Sequence, residues 1–499
     1  MTRLKVLLIK PYSRADEMIP PLGLGYLATA IRNHHEVEII DGLKEKLTPD
    51  KFRQMLIAKT PDICCFQVFT FQIPIVAEYL TMGRQILPGV KFILGGPHPS
   101  ASPDDIFTLF PEADYAFKGE AELGLAQLLD LLATEQTNEL NLTAVPGLIW
   151  INADKTAEEK NADKTAEKLN RFSILKRDNF ANNQTIVNRQ NFHCDLDGLG
   201  LPAWDLLAPD TYPIAPHGAF FKHYPVAPII ITRGCPFSCT YCSGHLTSGK
   251  KIRFRSAADV MTEVKLLYEQ YGIREIHIED DNFTFNRQLV LDFCRALKAN
   301  NLNISWTCPN GVRLDTLDEE LLLTMKDAGL YSLSVGIESG SDKILRDIKK
   351  SLTTAVIREK INLIKQCGLE VTGFFIIGYP TETKDDILAT IKFACELPLK
   401  RASFALFKPF PGTEITNTLI ARGEISPKNH TDWAKYILAD AVYAPPGFTT
   451  AQMKQLRRRA ILSFYLRPKI MWQFISEIKN LKHLKLIIKR AISWLFKAK

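Results

Sequence analysis

Ala227-Pro228-Ile229-Ile230-Ile231-Thr232-Arg233-Gly234-Cys235-Pro236-Phe237-Ser238-Cys239-Thr240-Tyr241-Cys242-Ser243-Gly244 is the stretch on which the reading of this chain turns. Ala227–Thr232 reads as a buried strand. Its carboxyl end would deliver three thiols within eight residues. Thiolates are the usual ligands of iron–sulfur clusters. Three of them on one short loop leave one iron of a cubane without a protein ligand, and an open position separates catalytic from structural metal centres. A zinc site with His245 as fourth ligand stays open. A redox pair of Cys239 and Cys242 leaves Cys235 unexplained, and three unrelated core cysteines are the blandest reading. Cys64, Cys65, Cys194, Cys294, Cys308, Cys367 and Cys395 are scattered, most of them among apolar neighbours, as small hydrophobes would be.

Downstream of the thiols the strand-then-helix rhythm continues. Strands are predicted at Glu275–Glu279, Asn303–Trp306, Leu330–Gly336, Val371–Ile377 and Ser403–Phe407. Helices fall between them at Ala257–Tyr271, Arg287–Asn300, Glu319–Ala328, Thr354–Cys367 and Lys384–Glu396. With Ala227–Thr232 these make six units, an α/β chain folded as a partial (β/α)6 barrel with its site at the carboxyl ends of the strands. Upstream, strands are predicted at Lys5–Ile9, Val37–Ile40, Ile63–Val68, Val90–Leu94 and Asp114–Phe117, with crossover helices near Leu22–Arg32, Phe52–Ile57, Ile75–Leu87 and Glu122–Leu132. That alternation predicts a doubly wound, Rossmann-like parallel sheet, which binds ligands at its strand ends. The ends carry Pro11-Tyr12, Pro20-Pro21-Leu22-Gly23, Gly95-Gly96-Pro97-His98 and Lys118-Gly119-Glu120, where glycine lets backbone approach a bulky ligand. Ordinary turn chemistry explains the same residues.

The expected domains are thus 1–133, a bridge over 134–224, the barrel over 225–415 and a helical region over 416–499. The bridge holds a tandem duplication, Asn152–Lys160 then Asn161–Lys168, read as an expanded loop. The formal charge of +7 is carried by the C-terminus. Residues 451–499 hold 13 Lys or Arg against one acid, Glu477, which leaves residues 1–450 at −5. Met471, Ile475, Ile478, Leu481, Ile488, Ile492 and Leu495 fall at helical steps with Lys479, Lys482, Lys489 and Arg490 between them. This is a basic amphipathic pattern suited to an anionic membrane surface, or to packing on the enzyme's own body. No stretch reaches the roughly 18 apolar residues of a membrane span, and the N-terminus is too quickly charged again for a secretory signal. The expectation is a cytoplasmic protein, with peripheral contact at the inner face of the membrane through the tail. No nucleic-acid-binding motif is present, so no nucleic acid partner is expected.

The Cys-x3-Cys-x2-Cys spacing, with Tyr241 before the last Cys, resembles the radical S-adenosylmethionine (SAM) superfamily. Other segments match it in order. Glu279-Asp280-Asp281-Asn282-Phe283-Thr284 follows the second strand, where the family contacts the SAM amino group. Gly336-Ile337-Glu338-Ser339-Gly340 follows the fourth and resembles the segment at the ribose or methionine portion. Gly373–Glu382, with Gly378, resembles the family's fifth-strand segment near adenine; Pro409-Phe410-Pro411-Gly412-Thr413 follows the sixth. Arg313 is read as either a surface ion pair or a SAM or substrate contact. The resemblance implies a [4Fe-4S] cluster on Cys235, Cys239 and Cys242, reductive cleavage of SAM, and an electron donor such as flavodoxin or ferredoxin.

In front of such a core, residues 1–133 resemble the cobalamin-binding domain of the cobalamin-dependent class, with Tyr12, Leu22, Gly23, Gly95, Gly96, Gly119 and Glu120 at its usual points. Asp195–Asp205 resembles the bridge of that class. The loop after the first strand lacks the Asp-x-His-x-x-Gly of many cobalamin proteins, so the resemblance implies cobalamin bound without a protein ligand to cobalt. Two reactions follow from it: methyl transfer from cobalamin to a small-molecule substrate, or oxidative cyclisation of the kind that anaerobic magnesium-porphyrin ester cyclases perform. Lipids, terpenoids and porphyrins would fit a membrane-facing tail. A reading from another class is a cobalamin or redox sensor with a structural cluster.

Overall fold

The computed structural model describes residues 2–13, 18–152, 185–213, 221–426, 433–437, 440–476, 478 and 484–485. The chain divides into two compact units, residues 1–13 with 26–193, and residues 14–25 with 194–499. The duplication beyond Asn152, and most of the basic tail, lie outside the described residues.

The first unit is built on seven strands: β1 (Lys5–Lys10), β2 (Glu36–Asp41), β3 (Ile63–Gln67), β4 (Lys91–Gly95), β5 (Tyr115–Phe117), β6 (Leu148–Ile151) and β7 (Thr185–Val187). Their order is β2-β1-β3-β4-β5-β6-β7. The first five pair in parallel. Val6, Leu7, Leu8 and Ile9 are all buried, as a strand covered on both faces requires. Helices Pro49–Lys59 and Ile73–Ile86 cover one face. Phe52 stacks on Tyr79 at 4.5 Å between centroids, and Phe66 meets Phe92 at 6.2 Å. Within 134–224, read from the sequence as a bridge, β6 extends this sheet antiparallel to β5, and β7 pairs antiparallel to β6. The order in which strands are added reverses between β1 and β3, the point where such sheets bind ligands.

The second unit holds β8 (Val226–Ile229), a short antiparallel pair of β9 (Thr232–Arg233) with β10 (Arg253–Phe254), then β11 (Glu275–Ile278), β12 (Ser305–Val312), β13 (Leu330–Glu338), β14 (Glu370–Ile377) and β15 (Arg401–Leu406). The six long strands form one all-parallel sheet in the order β15-β14-β13-β12-β11-β8, so the partial barrel is observed. Side chains alternate along β14 and β15. Phe375 and Phe404 are buried and stack at 5.1 Å, with Phe404 against Phe464 of helix Thr450–Tyr465. The opposite face, Thr372, Phe374, Ile376, Ser403 and Ala405, stays half-exposed.

The predicted Asp195–Asp205 bridge is tied to this unit by a buried network. Trp204 Nε1 donates to Glu263 at 2.9 Å, Arg255 pairs with Glu263, and Arg255 Nη1 donates to the Ile230 carbonyl at 3.0 Å. That last bond fixes the chain leaving β8. No described helix is long and apolar enough to cross a membrane.

Candidate active site

The thiol loop leaves β8 under several constraints. Asp280, buried at the end of β11, accepts from the N–H groups of Ile231 and Thr232, both at 2.8 Å. Gly234 has φ +97°, and a Cβ there would lie 2.3 Å from the Lys251 carbonyl oxygen. Only glycine suits that turn. Cys235 N–H donates to the Gly249 carbonyl at 3.0 Å, and Thr240 N–H to the Ile348 carbonyl at 3.1 Å. Thr240 Oγ1 lies 2.8 Å from the Tyr379 hydroxyl. Cys242 N–H donates to the Cys239 carbonyl at 3.1 Å, and Gly244 N–H points at Cys242 Sγ at 3.4 Å.

All three thiols are half-buried; Cys242 feels both Cys239 and Cys235, and Cys235 feels Cys239. Burial pushes the Cys235 and Cys239 thiols up and takes Cys242 to about 11. A nucleophilic or redox-active thiol needs the opposite shift, whereas metal binding deprotonates a thiol outright. Among the described residues no three His, Cys, Asp or Glu side chains converge where one metal ion could sit. Thiolates that take separate corners of a cubane need no such convergence, so the donor set suits a cluster better than a single zinc.

Behind the loop lies a buried ion pair. Lys350 Nζ donates to Glu338 Oε1 at 2.9 Å, with both side chains under a tenth exposed. Burial opposes the Lys350 charge, but Glu338 and Cys239 outweigh it and hold its pKa above the ordinary value. Glu338 sits at φ +65°, a left-handed conformation that costs a non-glycine residue roughly 1–2 kcal/mol. Burial, then the adjacent Glu338 carboxylate, raise the Tyr241 hydroxyl well above its usual range. Arg313 is buried and grips Asp315 through Nε and Nη2 at 2.9 and 2.7 Å; its guanidinium also covers the Phe237 ring at 3.6 Å and reaches the Lys350 carbonyl at 3.1 Å. Arg313 thus makes an ion pair, but not a surface one: its guanidinium is buried beside the thiol loop while Asp315 stays part-exposed.

The remaining predicted residues of this unit divide. Asp281 is exposed, accepts from Ser248 Oγ at 2.6 Å and lies beside Cys242. Glu279 follows β11, and its backbone carbonyl accepts from Asn310 at 2.8 Å. Ser339 is turned away, its Oγ 3.1 Å from Thr390 Oγ1. Sequence reasoning missed Lys350, and it gave Asn282 no role of its own within the segment Glu279–Thr284. Lys350 follows Glu338 by twelve residues with no motif to mark it. Asn282 is 1% exposed with neither end of its amide hydrogen-bonded, an arrangement that calls for a polar ligand. SAM, rich in polar groups, fits this surround.

Gly378 has φ +87° at the end of β14, and Glu382 Oε2 accepts from the N–H of Gly378 at 2.6 Å and of Tyr379 at 3.0 Å. Burial pushes the Glu382 carboxyl to about 8 from an ordinary 4.5. A carboxyl raised on folding lends stability that is complete below its unfolded pKa and lost as pH rises through the folded one. The urea midpoint of the protein is thus expected to fall between about pH 5 and about pH 9. Glu382→Gln, which keeps an acceptor for the two N–H groups, is expected to remove part of that fall; an unchanged slope would contradict it.

In the first unit, Gly95 and Gly96 end β4, Gly119 and Glu120 follow β5, and Tyr12 follows β1. A Cβ on Gly95 would meet nothing within 4 Å, an open approach to bare backbone. Gly119, at φ +76°, is different: the Gln190 side chain fills its missing Cβ, and its N–H donates to Ser100 Oγ at 2.9 Å. His98 is buried in a short helix with Nδ1 3.3 Å from Thr70 Oγ1, and burial pulls its pKa to about 4. Leu22 and Gly23 fall within the second unit. The open backbone at Gly95 suits a bulky cofactor such as cobalamin.

A family described as the radical SAM superfamily matches residues 229–394, and one described as the B12 binding domain matches residues 13–129. An uncharacterized methyltransferase of Pyrococcus horikoshii is 33% identical over 478 residues, spanning 96% of this chain and 94% of the relative. Cytidylyl-2-hydroxyethylphosphonate methyltransferase of Streptomyces wedmorensis is 28% identical over 461 residues, 85% of this chain and 83% of the relative. Among solved structures, the radical SAM methyltransferase TsrM of Kitasatospora setae, with cobalamin and a [4Fe-4S] cluster bound, shares the fold. Its TM-score is 0.67 at 17% identity, over 94% of this chain and 90% of that one.

Proposed function

The chain belongs to the radical SAM superfamily as a member with a B12-binding domain, and from that premise we propose that it transfers a methyl group to an unactivated centre of a small molecule. When bound, the [4Fe-4S] cluster supplies the electron that cleaves SAM and cobalamin carries the methyl group. Cys235, Cys239 and Cys242 would hold the cluster. The Glu338–Lys350 pair, Tyr241, Asn282, Glu279 and Asp281 would line the SAM side, with Arg313 and Asp280 keeping the loop in place. Gly378, with Glu382 behind it, shapes the end of β14, and Ser339 braces helix Lys384–Glu396 through Thr390. Tyr12, Gly95, Gly96, Gly119 and Glu120 would receive cobalamin, with Leu22 and Gly23 on the chain that follows β1.

The observation that carries this reading is the pinned three-thiol loop with a buried carboxylate–ammonium pair beside it. The pair offers one acceptor and one donor, the complement of an amino acid's ammonium and carboxylate. The half-exposed inner faces of β14 and β15 leave room for a substrate within the sheet's curve. Reduced, cluster-loaded protein given cobalamin and SAM labelled on its methyl group should form 5′-deoxyadenosine and S-adenosylhomocysteine together, and pass label to the product. 5′-Deoxyadenosine with no label transferred would replace methyl transfer by cyclisation.

A reducing partner supplies the electron, and flavodoxin or ferredoxin would suit. The tail adds a contact with anionic membrane. Leu466, Met471 and Trp472 are 61%, 46% and 72% exposed, within a segment rich in Lys and Arg. Full-length protein should co-sediment with phosphatidylglycerol vesicles at low salt and be released at high salt. Failure to bind would remove the membrane, and with it the preference for a lipid, terpenoid or porphyrin substrate.

A further inference from the structure

The thiol loop shows solvent a face that SAM binding leaves unused. Pro236 and Ser238, between the first two thiols, are exposed. Phe237 between them is half-buried. The buried Arg313 guanidinium covers its ring at 3.6 Å, and the ring of Phe285, 46% exposed, meets it edge-on at 6.1 Å. An apolar patch therefore reaches from the surface to the chain that carries Cys235 and Cys239.

Two lysines border the same loop. Lys250 Nζ donates to Ser238 Oγ at 3.2 Å. The Gly249 carbonyl accepts from Cys235 N–H at 3.0 Å, and the Lys251 carbonyl fills the space that a Cβ on Gly234 would need. The backbone on either side of Lys250 is thus clamped to the first thiol. Lys250 and Lys251 are both exposed, and neither pairs with a carboxylate among the described residues. Asp281, exposed beside Cys242, is engaged by Ser248 Oγ at 2.6 Å, and Arg287, two residues beyond Phe285, is held by Asp318 and Glu320.

A pair of surface lysines is ordinary by itself. Here it adjoins a redox centre that has to be refilled from outside. A cluster on these thiols takes up one electron for each SAM it cleaves. Electron transfer weakens steeply with distance, so a protein donor has to dock close to the loop. Aromatic rings at the centre with charge at the rim is the make-up of a protein interface, and redox encounters use small ones.

We propose that Pro236, Phe237, Ser238, Phe285, Lys250 and Lys251 form the docking surface for a small acidic electron-transfer protein. The proposal rests on the enzyme reading above, since without a cluster there is nothing to reduce. The donor is oxidised by one electron, and the [4Fe-4S]2+ cluster is reduced by one to [4Fe-4S]+. No bond forms or breaks. The rings make the contact, and the lysines steer the acidic partner, so they act on the rate of encounter and are screened by salt.

Rapid freeze-quench electron paramagnetic resonance on the anaerobically reconstituted full-length protein tests this without SAM or substrate. Flavodoxin in its two-electron-reduced form is the acidic donor. Its semiquinone and the reduced cluster should appear together, more slowly at high salt. Dithionite, which needs no docking surface, is the control reductant. Lys250→Glu combined with Lys251→Glu should slow reduction by flavodoxin roughly tenfold or more at low salt and flatten the salt dependence. Iron content and reduction by dithionite should not change. Phe285→Ser should slow the flavodoxin reaction severalfold at every salt concentration. Lys250→Gln with Lys251→Gln should give part of the charge-reversal effect, which keeps the test open if the reversed variant does not fold. Variants reduced at the wild-type rate, a rate that salt does not slow, or a cluster that dithionite reduces and flavodoxin does not would overturn the surface and leave the cluster standing. Protein with no cluster to reduce would overturn the enzyme reading as well.

Discussion

Cys239→Ala is expected to empty the cluster site. Iron falls from about four per chain to well under one, and 5′-deoxyadenosine formation from SAM falls to background. The same loss is expected for Cys235→Ala and Cys242→Ala, because two thiolates from one short loop cannot hold a cubane that already leaves one iron without a protein ligand. The fold should survive. The loop is held by Gly234, by Asp280 through two N–H groups, and by Thr240 through Ile348 and Tyr379, none of which needs the thiols. Cys308→Ala is the control. That thiol is buried in β12, and its loss should cost roughly 1 kcal/mol of packing with iron content unchanged. Iron retained by all three loop variants would contradict the assignment.

The largest effect on stability is expected at Glu338. Glu338→Gln leaves the Lys350 ammonium buried against a neutral amide, and removing one partner of a buried pair costs about 3–5 kcal/mol. The double variant Glu338→Gln with Lys350→Met should recover much of that, since no charge then remains buried. Glu338→Gly separates the backbone from the charge. It relieves the φ +65° strain and still unpairs Lys350, so a net loss is expected. SAM affinity measured by equilibrium dialysis should fall in all three variants, including the double variant whose stability recovers. Recovered stability together with recovered affinity would show that the pair is structural only.

The thiol loop was legible because its chemistry is local: three cysteines in eight residues after an apolar run need no tertiary information. The two sheets were legible for a related reason. Parallel strands buried on both faces read as continuous apolar runs, such as Val6–Ile9. What escaped the sequence is what depends on distant contacts. Lys350 becomes a site residue only because the short helix Asp342–Asp347 after β13 carries the chain back to Glu338. β7 is three residues long, beyond the duplicated segment, and has too little pattern to announce a strand. Gly119 looked like a glycine kept bare for a cofactor, but Gln190, 71 positions later, fills its space. Ser339 looked like a ligand residue, and its hydroxyl bonds a helix 51 residues on.

The central claim is that Cys235, Cys239 and Cys242 hold a cluster with one iron left open to SAM. Anaerobically reconstituted full-length protein, reduced with dithionite and mixed with SAM, should show an electron paramagnetic resonance signal of the reduced cluster that changes on SAM addition, with 5′-deoxyadenosine accumulating. Protein that takes up zinc in place of a cluster, or a cluster signal that SAM leaves unaltered, would contradict it.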